Sequence, residues 1–207
     1  MPLATVVSDA ALCAAALAAL VLARSRPLAV AGFALIALAA AAGSLRYGPV
    51  PALQPWHQGL SFLAGTLGLP LVLLAYAALG ARRTAPAVGA LLLLSAAAWM
   101  QPQARLLVGL ATVLGWALLL WRERRLPSLA ALIGLGIVAT LAAGAFALQG
   151  RWPQLDAMHY ALALGQLGFG VALRRREMMD NTTAPPRQVA PTGESCANRP
   201  SAAPPAP

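Results

Sequence analysis

Apolar runs alternate with short polar breaks from the first residues to Arg176. The breaks read "ARSRP", "RYGPVPALQP", "GARRTAP", "MQPQAR", "RERRLP" and "QGRWPQ". A hydrocarbon core ~30 Å thick takes about 20 helical residues at ~1.5 Å each. The pattern therefore predicts seven spans, over Leu3–Ala23, Pro27–Leu45, Trp56–Leu79, Ala85–Met100, Arg105–Trp121, Leu126–Leu148 and Trp152–Leu173. Proline sits in most breaks, where a residue without an N–H that biases its predecessor away from helix is expected. The fourth span is the shortest. The fold class that follows is all-α: a polytopic membrane protein, a seven-transmembrane-helix bundle.

Composition agrees. Of 207 residues, 59% are hydrophobic and 10% charged, with a mean hydropathy of +0.70, where a soluble domain carries about 25% charged residues. The net charge of +9 would suit nucleic acid only if it formed one basic face. It does not, because the arginines sit in small clusters between apolar segments, so no nucleic-acid partner is expected and membrane lipids are. Every basic residue is arginine and none is lysine, which reads as the codon bias of a GC-rich bacterial genome.

The arginines also orient the chain. Arg24 and Arg26, Arg82 and Arg83, Arg122, Arg124 and Arg125, and Arg174, Arg175 and Arg176 fall in alternate connections, whereas the intervening ones hold only Arg46, Arg105 and Arg151. The positive-inside rule then puts the N-terminus outside and the C-terminus in the cytoplasm of a bacterial inner membrane. Residues 1–23 lack the basic start of a cleaved signal peptide. The domain organisation is a seven-helix domain over 1–176 and a tail over 177–207. The tail is rich in Pro, Ala, Ser and Thr, too poor in large apolar residues to fold, and is expected to be disordered and cytoplasmic. Cys13 and Cys196 form neither a disulfide framework nor a metal-ligand spacing.

Ionisable residues within the spans gather at the outer end. Asp9 lies about two turns into span one, His57 opens span three, and Asp156 and His159 enter span seven, with Ser8, Ser44, Arg46, Tyr47, Gln58, Ser61 and Gln166 at similar depth. A charged Asp in a span costs roughly 2.5–3.5 kcal/mol, so it should face the bundle and find a partner. Asp156 and His159 share a helix face by their i,i+3 spacing. Two His and two Asp suit zinc, which takes nitrogen and oxygen ligands and activates water. On this reading His57, His159 and Asp9 are metal ligands, and Asp156 and Ser44 are catalytic. A plainer account fits the same residues. Asp156 is then a helix-start carboxylate, His57 an interfacial histidine beside Trp56, and Asp9 and His159 a clasp between spans one and seven.

Gly43-Ser44 near the outer end of span two, and Asp156-x-x-His159 entering span seven, resemble the alkaline-ceramidase-like membrane hydrolases, whose superfamily includes the progestin/adiponectin receptors. The resemblance covers about residues 5–175 and implies a seven-helix bundle holding zinc with histidines of spans two and seven and an Asp, beside a Ser. Ser44 and His159 match that pattern. Gly48 stands where the family has its span-two His, and Ala163 where it has a second span-seven His. Two function classes stay open: a variant metal-dependent lipid-amide hydrolase, and a non-enzymatic bundle that binds a lipid or a protein partner. A retinal protein is excluded by the absence of lysine. A transporter would show paired mid-membrane helix breaks, and only Gly65–Pro70 interrupts a span.

Overall fold

The structure, a computed structural model, describes residues 3–149 and 152–183. All the regular structure among them is helical: α1 (Leu3–Leu22), α2 (Pro27–Tyr47), a 3-10 turn (Pro51–Leu53), α3 (Gln54–Leu63), a π-helical stretch (Ala64–Gly68), α4 (Leu69–Ala77), α5 (Ala81–Met100), α6 (Pro102–Arg122), α7 (Pro127–Gln149) and α8 (Trp152–Thr183). Proline opens α2, α6 and α7, where its missing N–H would have had no helical acceptor. The turn, α3, the π stretch and α4 form one continuous span from Pro51 to Ala77.

Six helices among the described residues are long and apolar enough to cross a membrane, so the chain is a multi-pass helical membrane protein. α8 falls below that level of hydropathy because His159 and Gln166 lie within it. Both are buried, turned away from the surface that lipid would touch.

Several boundaries differ from the sequence expectation, α6 for instance starting at Pro102 instead of Arg105. The third span starts earlier, at Pro51, and the fourth starts at Ala81 and carries Pro86 inside it. α8 runs on past Leu173 into the expected tail, as far as Thr183. The cause is local charge pairing: Arg174 meets Glu177 at 3.1 Å (i,i+3) and Arg176 meets Asp180 at 3.2 Å (i,i+4), each adding a few tenths of a kcal/mol to a helix. Arg26 then holds Asp180 at 3.3 Å. The rest of the expected tail, including Cys196, lies outside the described residues, as does Arg151.

The π stretch has a cause in the sequence. Pro70 has no N–H to give the carbonyl of Thr66, four residues back, and the Ser95 hydroxyl of α5 donates to that carbonyl instead, at 3.2 Å. A neighbouring helix thus satisfies the group that proline leaves free, as hydrocarbon demands.

α1 and α8 run parallel along their whole length. Asp156 pairs with Ser8, Gly170 lies on Ala19 and Asp180 pairs with Arg26. Between membrane helices packing replaces the hydrophobic effect as the driving force, so small residues mark the seams. Ala15, Ala16 and Ala19 are buried on α1, as is Ala23 just past its end, and a Cβ on Gly170 would stand 2.8 Å from the Cα of Ala19. α8 also packs on α7, and α2 on α1 and α4. Toward the arginine-rich end Trp116 stacks on Phe169 at 4.0 Å, with Tyr76 at 5.8 Å. There, buried Glu123 takes Arg176 at 2.8 Å and Arg122 at 3.2 Å.

Candidate functional site

At the opposite end, α1 and α8 bring Ser8, Asp9, Asp156 and His159 together. The Ser8 hydroxyl lies 3.0 Å from the Thr5 carbonyl, 3.1 Å from Asp156 Oδ1 and 3.1 Å from His159 Nδ1. A hydroxyl donates one proton and accepts others. One assignment uses both side chains: Nδ1–H donates to Ser8, and Ser8 donates to Asp156. The other ring nitrogen, Nε2, faces Asp9 Oδ1 at 3.4 Å, a contact that needs a proton on one of the two. Asp156 is therefore engaged across helices. α8 starts at Trp152 and has no acidic residue in its first turn, so Asp156 is not a helix-start carboxylate.

Asp9 is only 1% exposed, and its second oxygen has no hydrogen-bond partner among the described residues. That oxygen rests against Gly43 of α2. A Cβ there would come within 2.5 Å of Asp9 Oδ2 and 2.8 Å of Asp9 Cγ. The adjacent Ser44 hydroxyl donates to the Val6 carbonyl at 3.3 Å. Its hydrogen bond ties α2 to α1 beside the cluster, and Ser44 does not line the cavity described next.

Asp9 and His159 form part of the wall of a cavity of about 880 Å³ bounded by α1, α2, α3 with the π stretch, α6, α7 and α8. Pockets that hold drug-sized ligands run from roughly 300 to 1,000 Å³. The wall is mostly aliphatic, with Gln166, Thr112 and Thr140 as scattered polar points. Gly65, Gly109 and Gly144, on three different elements, also line it, and a Cβ at any of them would meet nothing within 4 Å. Leu106 and Leu110 of α6 and Leu141 and Leu148 of α7 line the same space and are exposed, Leu148 to 91%. The cavity thus opens sideways between α6 and α7.

His57 and Ser61 of α3 reach the cavity from the other side. The His57 ring is held by the Ala39 carbonyl at 3.1 Å from Nδ1, with Ser61 Oγ at 3.5 Å, and lies edge-on to Tyr47. That tether keeps it out of one coordination sphere with Asp9 and His159. Among the described residues no group of three or more His, Cys, Asp or Glu side chains is placed to hold a metal ion. The expected ligand set of His57, His159 and Asp9 does not fit zinc, which needs three or four donors at about 2 Å.

Sequence reasoning puts Ser8 and Gln166 at this depth without giving them a role. Gln166 lies seven residues after His159, two helical turns along the same face, and that spacing is a usable signal. Ser8 carries no such signal, because consecutive residues on a helix point in different directions. The chain matches no known protein family, no characterised protein and no solved structure.

Proposed function

We propose that the protein is a seven-span bundle of a bacterial inner membrane that takes an amphiphile from the outer leaflet into its central cavity. The observation that carries this is the cavity itself: aliphatic walls, a sideways opening between α6 and α7, and a polar part of the lining that includes Asp9, His57, Arg105 and His159. An apolar chain entering between Leu110 and Leu141 exchanges one hydrocarbon surface for another, while the polar group it carries gains the hydrogen-bonding partners that the bilayer interior lacks. Two points support α8 as the seventh crossing. It runs parallel to α1, and the alternation of arginine clusters supports the periplasmic end for the site.

A hydrolytic role for the same cavity is the second reading, favoured by the Asp9–His159 contact in its wall. His159, held by Ser8 at one nitrogen and faced by Asp9 at the other, has the arrangement of an oriented base. This keeps the bundle and the Asp–His element of the ceramidase-like resemblance and leaves out the metal.

The test fills the cavity. Gly144→Leu places a side chain where a Cβ meets nothing within 4 Å, so folding should be retained. Lipid extracted from the purified wild-type chain and counted by mass spectrometry should approach one amphiphile per chain, and the variant should lose it. Equal lipid retention by both proteins would refute the proposal. Product release from a labelled lipid amide or ester, lost on His159→Gln with binding kept, would establish the second reading.

A further inference from the structure

At the opposite end of the bundle, four of the ten described arginines, Arg26, Arg122, Arg174 and Arg176, are paired with a carboxylate. Arg46 and Arg105 have no such partner at ion-pair distance among the described residues. Both line a second cavity, of about 580 Å³, whose wall holds no acidic side chain among the described residues. Arg46 comes from the end of α2 and Arg105 from the start of α6, and Gln58 and Trp99 line the same space. His57, Ser61 and Arg105 line both cavities, so the polar chamber adjoins the aliphatic one.

Both guanidiniums are positioned. Arg105 donates from Nε to the Ala98 carbonyl at 3.1 Å, and its Cζ lies 4.8 Å from the centroid of the Phe62 ring. Its two terminal nitrogens are left for another acceptor. Arg46 lies over Tyr47 at 4.4 Å. A planar guanidinium whose orientation is set by an aromatic face loses little freedom on binding, and it offers paired N–H groups that match the oxygens of phosphate or carboxylate. Two such groups in a lining that holds no carboxylate among the described residues favour an anionic headgroup over a neutral one.

Resting on the proposal that an amphiphile occupies the aliphatic cavity, we infer that its headgroup is anionic, a phosphate or carboxylate held between Arg46 and Arg105 with His57, Gln58 and Ser61 as further hydrogen-bonding partners. The ligand class is then a single-chain anionic lipid, with the chain in the larger cavity and the headgroup in the smaller.

The experiment uses the full chain in nanodiscs of neutral phosphatidylcholine. Lysophosphatidic acid, a monoacylglycerol with the same acyl chain, and inorganic phosphate are each titrated, and bound ligand is counted by native mass spectrometry. Charge-assisted hydrogen bonds predict that the anionic lipid binds about tenfold or more tighter than the neutral one. Arg105→Gln and Arg46→Gln should each lower that ratio toward one, whereas Arg105→Lys and Arg46→Lys keep part of it. Circular dichroism and melting of each variant establish that it is folded. Equal binding of the two lipids would overturn the inference while leaving the amphiphile reading standing. Binding of neither lipid would overturn both. Phosphate binding as tightly as lysophosphatidic acid would identify a free anion as the ligand and overturn the lipid assignment.

Discussion

Gly43→Ala asks the structure to fit one methyl group against the Asp9 carboxylate. The new Cβ would stand 2.5 Å from Asp9 Oδ2, against an ordinary contact of 3.4–4 Å, so the carboxylate must retreat by nearly an ångström. Asp9 is buried, its side chain is short, and its other oxygen already faces His159 at 3.4 Å. Overpacking of this kind costs about 1–3 kcal/mol. Against it stands the helical preference for alanine over glycine, about 0.8–1.0 kcal/mol. The strain outweighs the preference, and a net loss of about 1 kcal/mol is expected. In an Asp9→Ala background the obstructing oxygens are gone, so the same change should become stabilising by up to about 1 kcal/mol. The sign reversal is the signature, since residues in contact couple and distant ones add. Unfolding of the four proteins of this cycle in mixed micelles, followed by far-UV circular dichroism, measures it. If Gly43→Ala stabilises both backgrounds equally, the carboxylate does not rest on α2 and the geometry of the site is wrong.

Three further outcomes follow from contacts elsewhere in the bundle. Ser8→Ala leaves Asp156 and His159 without their shared hydroxyl and should cost about 1–3 kcal/mol in the same assay; a neutral result would mean that α1 and α8 are not joined there. Ser95→Ala removes the donor to the Thr66 carbonyl and should cost about 0.6 kcal/mol, the usual size of a hydrogen bond between membrane helices, with increased amide exchange confined to the π stretch and the start of α4. Glu177 sits beyond the apolar part of α8, and the Ser25 hydroxyl, then Arg174, hold its carboxyl below its usual range near 4.5. A carboxylate with a depressed folded value adds stability above the unfolded value and loses it as pH falls through the folded one. Protection of the α1–α2 connection from exchange should therefore decline in wild type as the pH is lowered below about 4.5. Ser25→Ala should move that decline to higher pH, and an unmoved midpoint would count against the contact.

The helices were legible because hydrocarbon imposes a length and proline marks the ends. That is why "ARSRP" and "RERRLP" sit between helices in the structure as in the text. The Asp156–His159 pair was legible as one helix face from its i,i+3 spacing. Its partners were not, since nothing local in α8 states that Ser8 and Asp9 lie opposite, more than 140 residues earlier in the chain. The zinc reading went astray at His57 for a similar reason: the backbone carbonyl of Ala39, which any residue at that position would present, decides where that ring points. Gly43 was visible as half of a two-letter resemblance, but the space it leaves for a carboxylate appears only in three dimensions. The cavity left almost no trace, because an apolar wall and an apolar lipid-facing surface are written with the same residues.

The parallel seam between α1 and α8 also sets an order of events during synthesis. Asp9 is made with α1 and His159 with α8. At about 5–20 residues per second, the ribosome needs roughly 8–30 s to make the chain between them. For that interval α1 holds a carboxylate whose histidine partner does not yet exist, so a helix made early is secured only when α8 arrives. A chain cut short before α8 would remain in that state permanently, and membrane-bound proteases that test for polar groups exposed to lipid would find it at its own N-terminus.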